Sequence, residues 1–291
     1  MNRRNLLKGA LLGASALALR PLRVVAADSG DAAARLAALE HRHGGRLGVA
    51  MLDSGSGRCV SHRGDERFLM CSTFKLLLVA AVLARVDRGA ERLDRRIVFG
   101  QNAVLSYAPI TRQHVGTPGL RVGELCQAAI TVSDNTAANL LLASLGGPAA
   151  VTAFARSLGD AVTRLDRIEP ALNVGSPGDV RDTTTPNAML ATMQKVVLGT
   201  VLTVASRERL VAWLRACATG PDELRAGVPA GWIVGDKTGR GDRDIVNDIG
   251  VFWPPRRSPL LVTTYYAGAG SHDAATSNAV IAEVGRIAAS L

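Results

Sequence analysis

The chain has 291 residues, of which 47% are hydrophobic and 20% are charged, the composition of a globular protein rather than of a disordered or fibrous one. Its formal net charge is +9, but the first 27 residues hold five basic and no acidic residues, so the rest of the chain carries only +4. That balance, with no basic stripe interleaved with aromatic residues, excludes a nucleic-acid-binding surface.

Residues 1–27 have the features of an export signal. Arg3 and Arg4 precede an apolar core over residues 10–19, and the small residues 25–27 suit cleavage by a signal peptidase. The paired arginines resemble a twin-arginine signal, and the core is too short to span a bilayer. We therefore expect the mature protein to begin near Asp28, to reach the periplasm by the twin-arginine route and to have no membrane anchor.

The cysteines give no sign of a metal site. The chain has four, none of them in a CxxC motif or at Cys/His ligand spacing: Cys59, Cys71, Cys126 and Cys217. We expect buried free thiols, no metal and no cofactor.

Hydrophobic periodicity divides the chain into three parts. A helix over 31–42 and strands over 46–52 and 58–62 come first, a long helical part follows, and strands over 232–237, 248–253 and 260–266 precede a closing helix over 272–290. This order predicts an α/β fold, an antiparallel sheet flanked by helices with an inserted all-α lobe. The α/β lobe would take about 28–70 and 218–291 and the helical lobe about 71–217, with the active site at their junction.

Ser72 and Lys75 stand one helical turn apart at the start of an apolar run. On a helix that begins near Ser72, the hydroxyl and the amine lie on one face, which places a nucleophile beside a possible base. Lysine is rare here, with four among the 34 basic residues, and unlike arginine it can release a proton. Alone, the pair also fits an N-cap serine beside a solvated lysine.

Two further motifs follow in order. Ser133, Asp134 and Asn135 come after an apolar stretch, and alone they fit a helix cap or a turn. Lys237, Thr238 and Gly239 end a predicted strand. With Ser72 and Lys75, this ordered set resembles that of the serine β-lactamases and penicillin-binding proteins.

A fourth segment separates these two groups of proteins. Residues 164–173, with Glu169 and Asn173, closely resemble the Ω-loop of class A β-lactamases, which penicillin-binding proteins lack. The resemblance extends over nearly the whole mature chain. The sequence is therefore identified as a member of the class A β-lactamases, with penicillins and cephalosporins as the expected substrates and a monomer as the expected state.

The resemblance implies roles for four catalytic residues. Ser72 would attack the lactam carbonyl, and Lys75 would help to remove its proton, directly or through Glu169 and a water molecule. Glu169, with Asn173, would activate the water that hydrolyses the acyl-enzyme. Ser133 would pass a proton to the departing lactam nitrogen.

The resemblance also implies a set of substrate-binding groups. Asn135 would bind the amide of the substrate side chain and Thr238 its carboxylate, while Tyr107 would form an aromatic wall. Lys237 would supply positive charge beside Gly239, and the backbone N–H groups of Ser72 and Arg240 would form the oxyanion hole. A structural ion pair between Arg167 and Asp182 would close the neck of the loop.

Several positions depart from the family pattern. In one branch of the family, the cysteine that corresponds to Cys71 forms a disulfide with a cysteine at the position of Gly241. In another branch, the cysteine that corresponds to Cys126 forms one with a cysteine at the position of Val79. Neither partner is present in this chain. Many members of the family carry an arginine near the substrate carboxylate. The positions where it occurs align approximately with Glu223, Val246 and Asn278, so none of them is an arginine in this chain.

Arg240 follows Gly239, where a small residue is usual. We hypothesise that its guanidinium replaces the missing carboxylate anchor, with Arg243 as a second candidate. The alternative is that Arg240 points to solvent and only its backbone N–H contributes.

Three other functions share part of this pattern. A D,D-peptidase of the penicillin-binding proteins has the same nucleophile motifs, but Glu169 and Asn173 argue against it. A β-lactam sensor that stays acylated would normally accompany a membrane segment. A hydrolase with a Ser-His-Asp triad is disfavoured because no Gly-x-Ser-x-Gly motif is present.

Overall fold

The computed structural model describes residues 27–176, 178–242, 244–268 and 273–291. The first part contains helix α1 (Ala27–His43) and strands β1 (Arg46–Asp53), β2 (Cys59–His62) and β3 (Phe68–Leu69). A 3₁₀ turn over Cys71–Thr73 then leads into helix α2 (Phe74–Asp87).

Helices dominate the middle of the chain. Its elements are β4 (Arg96–Ile97), β5 (Leu120–Arg121), α3 (Val122–Thr131), α4 (Asn135–Leu145), α5 (Ala149–Ser157), β6 (Thr183–Thr184), α6 (Pro186–Val197) and α7 (Val204–Arg215). The short helix α8 (Leu224–Gly227) precedes the three long strands β7 (Ile233–Gly241), β8 (Ile245–Trp253) and β9 (Leu260–Ala267), and helix α9 (Ala274–Ala289) closes the chain.

The main sheet has five strands in the order β2-β1-β9-β8-β7, and all neighbours are antiparallel. The last strand thus pairs with the first long one, and β7 forms an edge of the sheet. The predicted fold class is confirmed.

Each face of the sheet packs against helices. One face packs against α1 and α9 through residues such as Leu36 and Val280, both fully buried. The other packs against the helical part around α2, whose residues from Phe74 to Ala84 are all buried. A helix that is apolar on every side belongs in the middle of a core. Because this core joins the sheet to the helices, the division into two lobes near residues 70 and 217 remains a prediction.

The structure changes two details of the predicted elements. Strand β7 does not end at Lys237 but continues to Gly241, so the Lys-Thr-Gly motif lies within the strand. Ser72 lies in the 3₁₀ turn rather than in the helix itself. Residues 1–26, Arg243 and His272 lie outside the described residues, so the predictions for the signal segment and for Arg243 do too.

Among the described residues, no single helix is long and apolar enough to cross a bilayer. Within the described ranges, one bent pair of helices, Asn135–Leu145 and Ala149–Ser157, reaches the required length and apolar composition when the two helices are taken together.

Candidate active site

The nucleophile segment lies where the sheet meets the helical part. Cys71 has a φ of 45°, in the left-handed region, and the 3₁₀ turn that it begins leads directly into α2. Lys75 Nζ lies 2.9 Å from Ser72 Oγ, which confirms that the two side chains share one face. Lys75 is fully buried, so the alternative of a solvated lysine is excluded.

Polar groups from two other segments surround the Lys75 amine. It donates to the Ser133 carbonyl at 2.9 Å and to Asn135 Oδ1 at 2.6 Å, and it lies 3.0 Å from Glu169 Oε1. Burial lowers the pKa of Lys75 to about 8, against the opposing charge of Glu169 and with a smaller lowering contribution from Lys237. A buried amine with a lowered pKa spends more of its time as a neutral proton acceptor.

Ser133 lies between two buried lysines. Its Oγ accepts from Lys237 Nζ at 3.0 Å and from Lys75 Nζ at 3.2 Å. Burial lowers the pKa of Lys237. Ser133 has a φ of 57°, and Asp134 after it caps α4 by accepting from the Ala137 N–H. The helix cap that this motif favoured on its own is present, and the same turn aims the Ser133 hydroxyl at the two amines.

Glu169 approaches the nucleophile from the loop between α5 and β6, here called the 164–182 loop. Its Oε1 lies 3.3 Å from Ser72 Oγ, and its Oε2 accepts from Asn173 Nδ2 at 2.5 Å. Asn139 on α4 binds the Glu169 backbone twice, by donating to its carbonyl at 2.9 Å and by accepting from its N–H at 3.0 Å. The backbone of the loop is therefore tied to α4 directly at Glu169.

The neck of the 164–182 loop is closed by the predicted ion pair. Arg167 Nε lies 2.5 Å from Asp182 Oδ2, and Oδ1 of the same carboxylate accepts from the N–H groups of Asp166 and Arg167 at 2.7 and 2.9 Å. Asp182 is fully buried. The pairing of Arg167 with Asp182 is confirmed.

The edge strand β7 forms the opposite wall. A Cβ at Gly239 would lie 2.9 Å from the Met70 carbonyl oxygen and 3.2 Å from Ser72 N. Only glycine therefore lets the strand come this close to the nucleophile turn. The backbone of β7 and the Ser72 N–H consequently border one opening, as an oxyanion hole built from Ser72 and Arg240 requires.

The predicted site residues converge on one pocket of about 440 Å³. Eight of them line it: Ser72, Tyr107, Ser133, Asn135, Asn173, Thr238, Gly239 and Arg240. The remaining three, Lys75, Glu169 and Lys237, lie behind its wall and reach it through the hydrogen bonds given above. Their placement fits the expected roles, which remain predictions.

Arg240 has two side-chain partners that the sequence alone did not predict. Its Nη2 lies 2.7 Å from Glu223 Oε1 and 2.6 Å from Asn278 Oδ1. Asn139 and Thr219 were also missed, although Thr219 Oγ1 lies 2.6 Å from Thr238 Oγ1 inside the pocket. The sequence held one indication of Asn139: it lies one helical turn after Asn135 on α4, and therefore on the same face of that helix.

All four cysteines are free thiols. Cys71, Cys126 and Cys217 are buried as expected, but Cys59 is exposed because it lies on the edge strand β2, which corrects the expectation for that residue. In the part of the chain that the structure describes, no cluster of three or more His, Cys, Asp or Glu side chains could hold a metal ion.

Comparison with known proteins identifies the class. The sequence profile of the β-lactamase enzyme family matches residues 31–290. The chain is 52% identical over 257 residues to β-lactamase L2 of Stenotrophomonas maltophilia, covering 88% of this chain and 84% of the relative. It is 50% identical over 264 residues to a β-lactamase of Streptomyces albus G, covering 89% and 84%. The chain belongs to the β-lactamase enzyme family.

Solved structures narrow the assignment. An ancestral class A β-lactamase superposes with a TM-score of 0.86 at 61% identity, over 88% of this chain and 98% of its own. The putative class A β-lactamase PenP from Rhodopseudomonas palustris superposes with a TM-score of 0.87 at 55% identity, over 89% and 99%. Within its family the chain is a class A β-lactamase.

Proposed function

We propose that the protein hydrolyses the β-lactam ring of penicillins and cephalosporins through an acyl-enzyme on Ser72, and so confers β-lactam resistance. The observation that carries this proposal is the Ser72 hydroxyl, held 2.9 Å from the buried Lys75 amine and 3.3 Å from Glu169 at the base of an open pocket. A nucleophile, a proton acceptor and a carboxylate thus meet at one point.

Acylation begins when Ser72 Oγ attacks the lactam carbonyl carbon. Its proton passes to Lys75, the nearer of the two acceptors, and the carbonyl oxygen becomes an oxyanion between the N–H groups of Ser72 and Arg240. When the ring C–N bond breaks, the Ser133 hydroxyl donates its proton to the lactam nitrogen. Ser133 regains a proton from Lys75, which is 3.2 Å away.

Deacylation uses the other side of the pocket. Glu169 takes a proton from a water molecule as the water oxygen attacks the ester carbon. The bond between that carbon and Ser72 Oγ then breaks, and Ser72 Oγ takes up the proton from Glu169, which lies 3.3 Å away. Asn173 Nδ2 fixes one Glu169 oxygen, while among the described residues Asn173 Oδ1 has no partner and can accept from the same water. A carboxylate oriented in this way acts as the general base.

The substrate is held by groups along β7 and α4. Asn135 binds the amide of the acyl side chain, and Tyr107, with half of its surface exposed, forms the outer wall. Thr238, Lys237 and Arg240 meet the carboxylate that penicillins and cephalosporins carry next to the ring.

The protein acts as an exported monomer in this proposal. Residues 1–27 direct it to the periplasm by the twin-arginine route and are then removed. Intact mass spectrometry of protein from the periplasmic fraction tests this step, since the chain should begin at Asp28.

The same periplasmic protein tests the nucleophile. Benzylpenicillin should be turned over by the parent, whereas Ser72→Ala should neither turn it over nor gain mass. If Ser72→Ala kept the parent rate, the proposed reaction would be wrong.

A further inference from the structure

The end of the pocket near Arg240 has a charged group directly behind its wall. Thr219, Gly220 and Thr238 line this end of the pocket. Gly220 has a φ of 62°, and a Cβ there would lie 2.5 Å from Thr238 Cγ2 and 2.9 Å from Glu223 Cδ. The wall is therefore one glycine thick, and the Glu223 carboxyl group lies immediately behind it.

The Arg240 side chain is hydrogen-bonded by two acceptors, Glu223 and Asn278. One nitrogen, Nη2, donates to both Glu223 on the inner side and Asn278 on α9. Glu223 is fully buried, whereas 47% of the Arg240 side chain is exposed. In the described part of the chain, Nε and Nη1 of Arg240 have no recorded acceptor. The guanidinium is thus held at one nitrogen, and its other donors remain available to a ligand in the pocket that Arg240 lines.

The two acceptors occupy informative positions. The resemblance to class A enzymes predicts an arginine near Glu223 or Asn278, and neither position has one. Both instead hold oxygen acceptors for an arginine that comes from β7.

Glu223 is also part of a buried acidic cluster. Asp236 on β7 and Asp248 on β8 are both fully buried. The negative charge of Asp236 raises the pKa of Glu223, and the charges of Asp236 and Glu223 raise the pKa of Asp248. Each of the three carboxyl groups has one oxygen without a partner among the described residues. Three adjacent buried negative charges would be very costly, so part of the cluster holds protons near neutral pH.

The charged groups around Glu223 come from three elements. Strand β7 contributes Arg240, Asp236 and Lys237, β8 contributes Asp248, and α8 contributes Arg225, which pairs with Asp236. Burial raises the pKa of Glu223 to about 7, against the lowering effect of Arg240 and with a further rise from Asp236. Glu223 is therefore poised to change charge between pH 6 and 8.

We propose that Glu223 and Asn278 form a clamp that positions Arg240 as the anchor for the substrate carboxylate, and that the charge on Glu223 sets how strongly this anchor attracts an anion. The inference rests on the proposed β-lactam substrates. Protonated Glu223 leaves the full Arg240 charge to the substrate, whereas ionised Glu223 cancels most of it. Glu223 and Asn278 are positioning residues, because they act on the substrate only through Arg240.

The test compares benzylpenicillin with its methyl ester, in which the carboxylate is masked. The measured quantity is the ratio of their kcat/KM values from pH 6 to 8.5, because pH effects on the shared chemistry of acylation cancel in a ratio. In the parent this anion preference should fall roughly fivefold as pH rises through about 7. In Glu223→Gln the anion preference should stay at its high value at every pH. In Arg240→Ala it should stay at its low value at every pH.

Two further variants separate the clamp from a general effect of substitution. Asn278→Ala removes the other acceptor and should lower the anion preference a few-fold at both ends of the pH range. Glu208→Gln changes an exposed carboxylate on α7 and should keep the parent profile.

A pH-dependent preference that persists in Glu223→Gln, or equal pH dependence for acid and ester, would overturn the clamp while leaving the proposed hydrolysis intact. Absence of turnover in the parent would instead overturn the proposed hydrolysis and the clamp together.

Discussion

At the scale of single residues, Lys75 is the group on which the site depends. It is buried, it touches Ser72, Ser133 and Asn135, and it lies 3.0 Å from Glu169. An amine in this position could serve as a fixed positive charge or as a carrier of protons. A substitution by arginine distinguishes the two roles, because arginine can replace the positive charge of Lys75 but cannot release a proton.

We expect Lys75→Arg to lower kcat/KM for benzylpenicillin by about 10²- to 10⁴-fold, the usual contribution of general acid–base catalysis. Circular dichroism and the urea midpoint should show that the variant still folds. Lys195→Arg, on α6 and outside the pocket, is the matched control and should keep the parent value. A Lys75→Arg enzyme within a few-fold of the parent would mean that Lys75 acts only through its charge.

The sequence predicted part of this residue-scale picture. The spacing of Ser72 and Lys75 predicted a shared face, because residues three apart meet on a helix. The contact between Lys75 and Glu169 depends on how the 164–182 loop folds back, which no local spacing contains. Likewise, Arg240 was singled out in the sequence, but its partners Glu223 and Asn278 become neighbours only when β7, α8 and α9 pack together.

At the scale of elements, the 164–182 loop has little regular structure and depends on a few anchors. Arg167 and Asp182 close its neck, and Asn139 holds the Glu169 backbone to α4. Because Asp182 is fully buried, removal of Arg167 would leave an uncompensated charge in the interior.

We expect Arg167→Ala to lower the free energy of unfolding by about 3 kcal/mol, measured by urea denaturation. Asp182→Asn in the same background should recover part of this loss, since the unpaired charge is then gone. Arg164→Ala breaks the partly exposed pair with Asp166 in the same loop and should cost less than about 1 kcal/mol. Equal losses for Arg167→Ala and Arg164→Ala would show that burial of the neck pair does not matter.

The extent of β7 is an element that the sequence predicted incompletely. Residues 238–241 include two glycines and an arginine, which weaken the strand pattern, so the strand was expected to end at Lys237. In the structure the ladder with β8 continues, with Thr238 opposite Asp248 and Gly241 opposite Ile245. Tertiary pairing overrides the local preference here, and the glycines serve the close approach to the Ser72 turn.

At the scale of the whole molecule, the order of strands and helices was sufficient to predict the fold class. Strands at both ends of the chain must meet to form one sheet, and β1 indeed pairs with β9. The shared core between the sheet and α2 was beyond the sequence, because apolar periodicity shows that a face is buried but not what buries it. That core fixes the Ser72 turn between β7 and the 164–182 loop.

In the proposed mechanism, acylation and deacylation depend on different elements. Lys75 on α2 would serve the first step and Glu169 on the 164–182 loop the second, so removal of Glu169 should stop the cycle halfway. We propose this separation of the roles of Lys75 and Glu169 as the main feature of the mechanism.

The most direct test is intact mass spectrometry of Glu169→Ala mixed with benzylpenicillin, beside the parent and the exposed-site control Glu208→Ala. The account predicts rapid turnover by the parent and the control, and a stable adduct on Ser72 in Glu169→Ala. A stable adduct on the parent itself would contradict the account, because the chain would then behave as a penicillin-binding protein or a sensor. Failure of Glu169→Ala to gain mass would equally contradict it, since Glu169 would then be needed for acylation.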